Sequence, residues 1–154
     1  MKYSEAVQPI IESFTDELVV SSCGFTSRAL YAVKDRAENF YIMGAMGSTL
    51  GIAIGLALNL PRRKVVALCG DGELLMSLGT VALMKELDLP NLFLHVFVNS
   101  IYASTGGQPI VFVDYSALAG HNCDVHVISE NEDLPRIPIS PKVIAQRFRD
   151  AISL

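Results

Sequence analysis

The chain has 154 residues, 51% of them hydrophobic, a net charge of −4 and a mean hydropathy of +0.38. One domain accounts for that length, and the acidic balance without any basic block excludes a nucleic-acid binder. So high an apolar content asks for a sheet buried on both faces and for surface covered by a partner; both are expected.

In chain order, residues 1–5 run into polar sequence, so no signal peptide is expected, and residues 3–14 have helical spacing, with Pro9 blurring the start. Residues 18–20 read as a short strand ending in Ser21-Ser22-Cys23-Gly24. Thr26 or Ser27 then caps a helix to about residue 34. Residues 40–43 are the next strand, 44–47 a turn and 48–58 a helix. The weakly polar stretch 42–60 is too rich in glycine and polar residues to span a membrane. Gly47, Gly51 and Gly55, four residues apart, give its helix a flat face for close packing in an α/β domain.

An exposed turn, Pro61-Arg62-Arg63, precedes a strand at 65–69, a helix at 73–87 and a strand at 92–98. Residues 99–109 form a polar loop long enough to be functional. Asp114 caps a short helix to 119, residues 125–129 are the last strand, and Ser140-Pro141 starts a helix to about 152. His121, Cys123, Asp124 and His126 are rich in metal ligands, but no second ligand group accompanies them, and they read as a loop running into a strand. Cys23, Cys69 and Cys123 form no close pair, which suits a reducing cytoplasm, with Cys69 an inert core residue. The alternation of strands and helices predicts a three-layer α/β/α domain over residues 1–154 with a mainly parallel sheet. A nicotinamide-binding Rossmann domain is excluded, because no Gly-x-Gly-x-x-Gly follows a strand.

The chemistry concentrates in Gly70-Asp71-Gly72 and Asn99, 28 positions apart and each at the end of a predicted strand. A parallel β-α-β unit brings such ends to one edge of a sheet. A carboxylate and an amide oxygen meeting there make half of a hard-cation site, which magnesium completes with water and phosphate oxygens. The helix starting at Glu73 adds free amides and a positive dipole end that favour phosphate. The local reading is a magnesium-held diphosphate.

Gly-Asp-Gly, a spacer of under thirty residues and Asn resemble the signature of thiamine diphosphate-dependent enzymes. The segment from Asn99 through Ser100-Ile101-Tyr102-Ala103-Ser104-Thr105-Gly106-Gly107-Gln108 to Pro109 is similar to sulfopyruvate and phosphonopyruvate decarboxylases. So are Gly24-Phe25-Thr26-Ser27-Arg28-Ala29-Leu30-Tyr31 and Gly44-Ala45-Met46-Gly47. The resemblance covers about residues 18–120 and implies only the diphosphate-binding domain of such enzymes.

It implies magnesium on Asp71, Asn99 and the Ile101 carbonyl, and close backbone approach of Gly70 and Gly72 to the diphosphate. It puts the Gly44 carbonyl on the cofactor's 4′-amino group and Ala45 beside it. The Met46 amide would contact the pyrimidine, its thioether wedging the cofactor into a bent form; core packing is the alternative for that side chain. Thr26 and Ser27 bring hydroxyls near the diphosphate, and Tyr102 joins the cofactor-binding loop. Ser104, Thr105 and Gln108 either bind an anionic substrate tail or order their loop, and Arg28 reads as a helix-surface residue with anion contact as the alternative. Two positions depart from the pattern. Val98 replaces a polar residue, and Glu73 stands where a hydroxyl or small residue is common, so it is expected to turn away from phosphate or sit at a helix dipole.

No residue here fits the glutamate that activates the aminopyrimidine; the resemblance puts it on a separate pyrimidine-binding domain. The expectation is therefore one subunit of a split 2-oxo acid decarboxylase, a hetero-oligomer with a pyrimidine-binding (alpha-type) partner. Its substrate would be a small anionic 2-oxo acid, sulfopyruvate or phosphonopyruvate. A carboligase of acetolactate-synthase type and a non-catalytic magnesium-diphosphate module are the alternatives.

Overall fold

The structure, a computed structural model, describes residues 1–153. In chain order its elements are α1 (Tyr3–Ile11), β1 (Leu18–Ser21), α2 (Phe25–Val33), β2 (Asn39–Tyr41), α3 (Thr49–Asn59) and β3 (Val65–Gly70). There follow α4 (Asp71–Leu75), α5 (Leu78–Leu87), β4 (Leu92–Val98), α6 (Tyr115–Ala119), β5 (Cys123–Val127) and α7 (Pro141–Ile152).

The apolar run of β3 places it at the centre of the sheet. Val65, Ala67 and Cys69 face one helical layer, with Leu50 and Ala53 of α3 and Val81 of α5. Val66 and Leu68 face the other, with Val7 and Ile11 of α1 and Leu30 of α2. Because strand side chains alternate, only a strand covered on both faces tolerates five consecutive buried residues. The strands run in the order β2-β1-β3-β4-β5, and each neighbouring pair is parallel. The three-layer α/β expectation therefore holds. The order reverses between β1 and β3, which opens a crevice at their carboxyl ends.

Local chemistry sets the ends of the elements. Asp114 accepts from the Ala117 amide at the start of α6, and Ser140 from the Val143 amide at the start of α7, both as expected. The first helix closes at Ile11, short of residue 14, because Lys34 Nζ reaches the carbonyls of Ile11, Glu12 and Phe14 and the chain turns Phe14 into the core. The strand expected at 125–129 lies two residues earlier, in register with β4 from Leu94 opposite Cys123, and Ile128 then turns inward. The single helix expected over 73–87 is two helices. The turn bonds from Met76 N to Glu73 O and from Ser77 N to Leu74 O end α4, and Thr80 N to Ser77 O starts α5. Leu74, Val81 and Met84 stay buried across the break, so apolar spacing does not reveal it.

Among the described residues no helix is long and apolar enough to cross a membrane. The cysteines at 23, 69 and 123 are free; Cys69 is buried, and burial holds its thiol well above the ordinary range.

Candidate functional site

A cleft opens at the switch point. The end of β1 supplies Ser22 and Cys23, and α2 supplies Phe25 and Thr26. From β3 into α4 come Gly70 to Glu73, and Asn99, Ile101 to Thr105 and Ile110 come from the loop after β4; Tyr3 and Met46 complete the wall.

Asp71 is the hub of this cleft. Its Oδ1 accepts from the Gly72 amide at 2.9 Å, and its Oδ2 from the amides of Asn99 at 3.1 Å and Ser100 at 2.7 Å. The parallel pairing of β3 with β4, in register to Gly70 opposite Phe97, brings these two strand ends together. Asn99 is oriented from both sides: Oδ1 accepts from the Ile101 amide at 3.1 Å, and Nδ2 donates to the Tyr3 hydroxyl at 2.9 Å. Ser100 takes a left-handed φ of 61°, which turns the chain back towards Asp71. The loop then doubles on itself, with Ile101 bridged to Pro109 and Tyr102 N bonded to Gln108 O at 2.9 Å.

Gly72 has no room for a side chain. A Cβ there would stand 2.4 Å from Tyr102 Cε1 and 2.9 Å from Ile110 Cδ1, so only glycine lets the loop close on the helix start. Gly44 and Gly47 have φ of 75° and 89°, and their loop forms the rim beside Met76. Met46 is 39% exposed and lines the cleft, which overturns core packing as its alternative; Gly44 and Ala45 are exposed on the rim.

Glu73 does turn away. It is 3% exposed, and its Oε1 accepts from the hydroxyl of Thr49 and, at 3.3 Å, from the Thr49 amide at the start of α3. Burial pushes its carboxyl up from the ordinary value, and the Thr49 bonds pull it part of the way back. Glu73 Oε2 and Ser22 Oγ are buried in the same cleft without a hydrogen-bond partner in the protein.

Some expected residues stand elsewhere. Ser27 is buried behind the wall, donating to the Ser22 carbonyl at 2.6 Å, because its place on α2 faces the end of β1; Thr26 faces the cleft. Gln108 bonds the Thr105 carbonyl at 3.4 Å and orders the loop, whereas Ser104 and Thr105 line the cleft. Arg28 donates to the Leu134 carbonyl and stacks on Phe25, a structural role. His121 pairs with Asp88 and His126 with His95, so the ligand-rich segment does not converge. Tyr3, Ser22 and Cys23 were not anticipated. The last two follow β1 across the switch point and were legible from strand order; Tyr3 carries no sequence signal.

The cleft is acidic, and among the described residues no Lys, Arg or His lines it. Burial, and then the charge of Asp71, pushes the hydroxyls of Tyr3 and Tyr115 up to about 12. An anionic ligand here needs a cation brought with it. The donor set of one carboxylate, one amide oxygen and one free carbonyl is all hard oxygen, which suits a cation that draws its remaining ligands from water and phosphate.

The chain matches the family described as thiamine pyrophosphate enzyme, C-terminal TPP binding domain, over residues 21–152. The sulfopyruvate decarboxylase subunit beta of Methanocaldococcus jannaschii is 41% identical over 108 residues, 70% of this chain and 57% of that protein. The phosphonopyruvate decarboxylase of Streptomyces viridochromogenes is 41% identical over 124 residues, 77% of this chain and 31% of that protein. The chain thus spans between a third and somewhat over half of these relatives. The fold is shared with a thiamin diphosphate-dependent enzyme of Mycobacterium smegmatis at a TM-score of 0.67 and 20% identity, covering 88% of this chain and 32% of that one. With a family match over most of its length, the chain belongs to the C-terminal TPP-binding domains of thiamine pyrophosphate enzymes.

Proposed function

We propose that this chain is the diphosphate-binding subunit of a split, magnesium-dependent 2-oxo acid decarboxylase that uses thiamine diphosphate. The observation that carries the reading is the convergence of Asp71 and Asn99, joined by the Asn99 amide at 3.1 Å, in an acidic cleft at the switch point. The residues fit the cofactor. The hard oxygens of Asp71, Asn99 and the Ile101 carbonyl suit magnesium, and Gly70 and Gly72 allow close backbone approach.

When bound, thiamine diphosphate supplies the electron sink for loss of carbon dioxide from a 2-oxo acid. The chain holds and orients. Asp71, its carboxylate braced by three backbone amides, keeps a fixed position for the metal. Met46 stands over the cleft as an adaptable wedge, with the Gly44 carbonyl beside it on the rim for the cofactor's amino group. Thr26 offers a hydroxyl to the diphosphate, and Tyr102 and Ile110 shield the helix start from water. Ser104 and Thr105 present donors for a sulfonate or phosphonate tail, and Gln108 orders their loop. This is also the substrate class in the names of the relatives.

The glutamate that works on the aminopyrimidine is assigned to a pyrimidine-binding, alpha-type partner. The exposed apolar side chains of Met43, Met46, Ile52, Met76 and Leu78 support such a partner, as does the printed name of subunit beta. Three free cysteines suit a cytoplasmic enzyme.

The test is co-expression with a candidate alpha-type chain and measurement of carbon dioxide release from sulfopyruvate, phosphonopyruvate and pyruvate with magnesium and thiamine diphosphate. Turnover that needs both chains and is lost in Asp71→Ala supports the reading and names the substrate. Acetolactate as the main product would make the enzyme a carboligase. An Asp71→Ala chain that binds cofactor as well as the parent would overturn the metal site.

A further inference from the structure

The loop between β2 and α3 has little packing of its own. Residues 43–46 are exposed, and Gly47 and Ser48 are half-buried. Inside the loop, the Ser48 amide bonds the Ala45 carbonyl at 3.3 Å, and the Ser48 hydroxyl donates to the same oxygen. These bonds set the shape of the turn. They do not set where the turn stands over the cleft.

What fastens it lies beneath. Thr49 follows the loop directly, is fully buried, and gives its amide and its hydroxyl to Glu73 Oε1. The Glu73 carboxyl also lies near the Gly47 amide. Met76, three residues after Glu73, backs the same turn, since a Cβ on Gly47 would stand 3.4 Å from Met76 Cβ. Glu73 is itself fixed: it is 3% exposed and shares the first turn of α4 with Asp71. The two carboxylates serve opposite walls. Asp71 takes the amides of Asn99 and Ser100 from the loop after β4, and Glu73 takes Thr49 from the end of the loop after β2. Groups that meet a ligand keep their place only when buried neighbours lock them.

We infer that Glu73 is a positioning residue for the aminopyrimidine end of the cofactor: through Thr49 it holds the Gly44–Met46 loop in place across the cleft from Asp71. The diphosphate end depends on Asp71 and its own loop. The inference rests on the thiamine diphosphate reading and divides the work within it. Thiamine diphosphate needs both walls of the cleft, whereas inorganic diphosphate with magnesium needs only the Asp71 wall.

Calorimetric titration of the full chain, assembled with the co-expressed alpha-type chain in magnesium, tests it with these two ligands. Glu73→Ala should weaken thiamine diphosphate about tenfold, the scale of a lost hydrogen bond to a charged group, and leave inorganic diphosphate within about twofold. Glu73→Gln keeps an acceptor for Thr49 and should bind both ligands like the parent. A general loss of structure would weaken both together. Equal weakening of both ligands by Glu73→Ala, or no weakening of either, overturns the inference, and so does a Glu73→Gln chain that binds no better than Glu73→Ala. If Glu73→Ala fails to fold by circular dichroism, Glu73→Asp, which shortens the anchor by one methylene, decides on the same criteria. A parent that binds neither ligand, or inorganic diphosphate alone, sinks the thiamine diphosphate reading and the inference with it. A parent that binds both leaves that reading standing whatever the variants do.

Discussion

Glu73 closes the start of α3 from across the cleft, its Oε1 taking both the hydroxyl and the amide of Thr49. The pair ties the Gly70–Glu73 turn to the helix that follows the Gly44–Ser48 loop, so the two halves of the site are held by one side chain. Thr49→Val removes a donor from a buried carboxylate and should cost about 1.5–3 kcal/mol. Glu73→Gln keeps an acceptor for Thr49 and removes a charge that burial disfavours, so it should stay within about 1 kcal/mol of the parent. Urea unfolding of the two variants checks this; equal loss in both would mean that charge, rather than an acceptor, is what α3 requires.

Alanine is ordinarily better than glycine in a helix, yet Gly72→Ala should destabilise. Its Cβ would enter the Tyr102 ring at 2.4 Å, and the loop must lift to admit it. The expected loss is about 1–3 kcal/mol, with faster proteolytic nicking between residues 100 and 110. Unchanged melting and unchanged nicking would show that the loop does not close on α4.

The Tyr3 hydroxyl accepts from Asn99 Nδ2 at 2.9 Å and so keeps the amide oxygen turned towards the Ile101 amide. In Tyr3→Phe the ring keeps its stacking on Phe25 and Phe97, so melting should shift by no more than the value of about one hydrogen bond, 0.5–1.5 kcal/mol. Binding of Mn2+ as a magnesium probe, read by electron paramagnetic resonance in the presence of thiamine diphosphate, should weaken several-fold. A variant that binds Mn2+ like the parent would show that Asn99 needs no outside support.

Burial, and then the neighbouring His126, lowers His95 to about 4. An unfolded histidine titrates near 6.5, so between about pH 6.5 and 4 the unfolded chain takes up a proton that the folded one refuses. This contribution to stability is complete above pH 6.5 and is lost as pH falls through that window, reaching roughly 3 kcal/mol when His95 is fully protonated. His95→Gln should flatten the acid side of a plot of unfolding free energy against pH. An equally steep slope in the variant would place the acid sensitivity elsewhere.

Where apolar spacing alone decides structure, the sequence was readable. The run Val65 to Cys69 can only be a strand covered on both sides, and Leu92 to Val98 has its partner spacing. The Ser140-Pro141 start needs no tertiary help, because its cap bond is local. The helix break at Met76 and Ser77 was not readable, since the apolar face continues in phase across it. The place of β5 was not either: pairing with β4 selects its register, and that choice is non-local.

The same division holds at the site. Sequence by itself brought the carboxylate, the amide and the glycines to one edge of the sheet, because their spacing fits a β-α-β unit. Only the tertiary structure decided which neighbours serve them. Tyr3 reaches Asn99 from 96 positions away, Glu73 turns to Thr49, and Ser27 gives up the cleft to Thr26. Each outcome depends on which face of a helix meets a strand brought in from elsewhere. Local spacing carries no record of that meeting, because it is settled by the burial of two helical layers against one sheet.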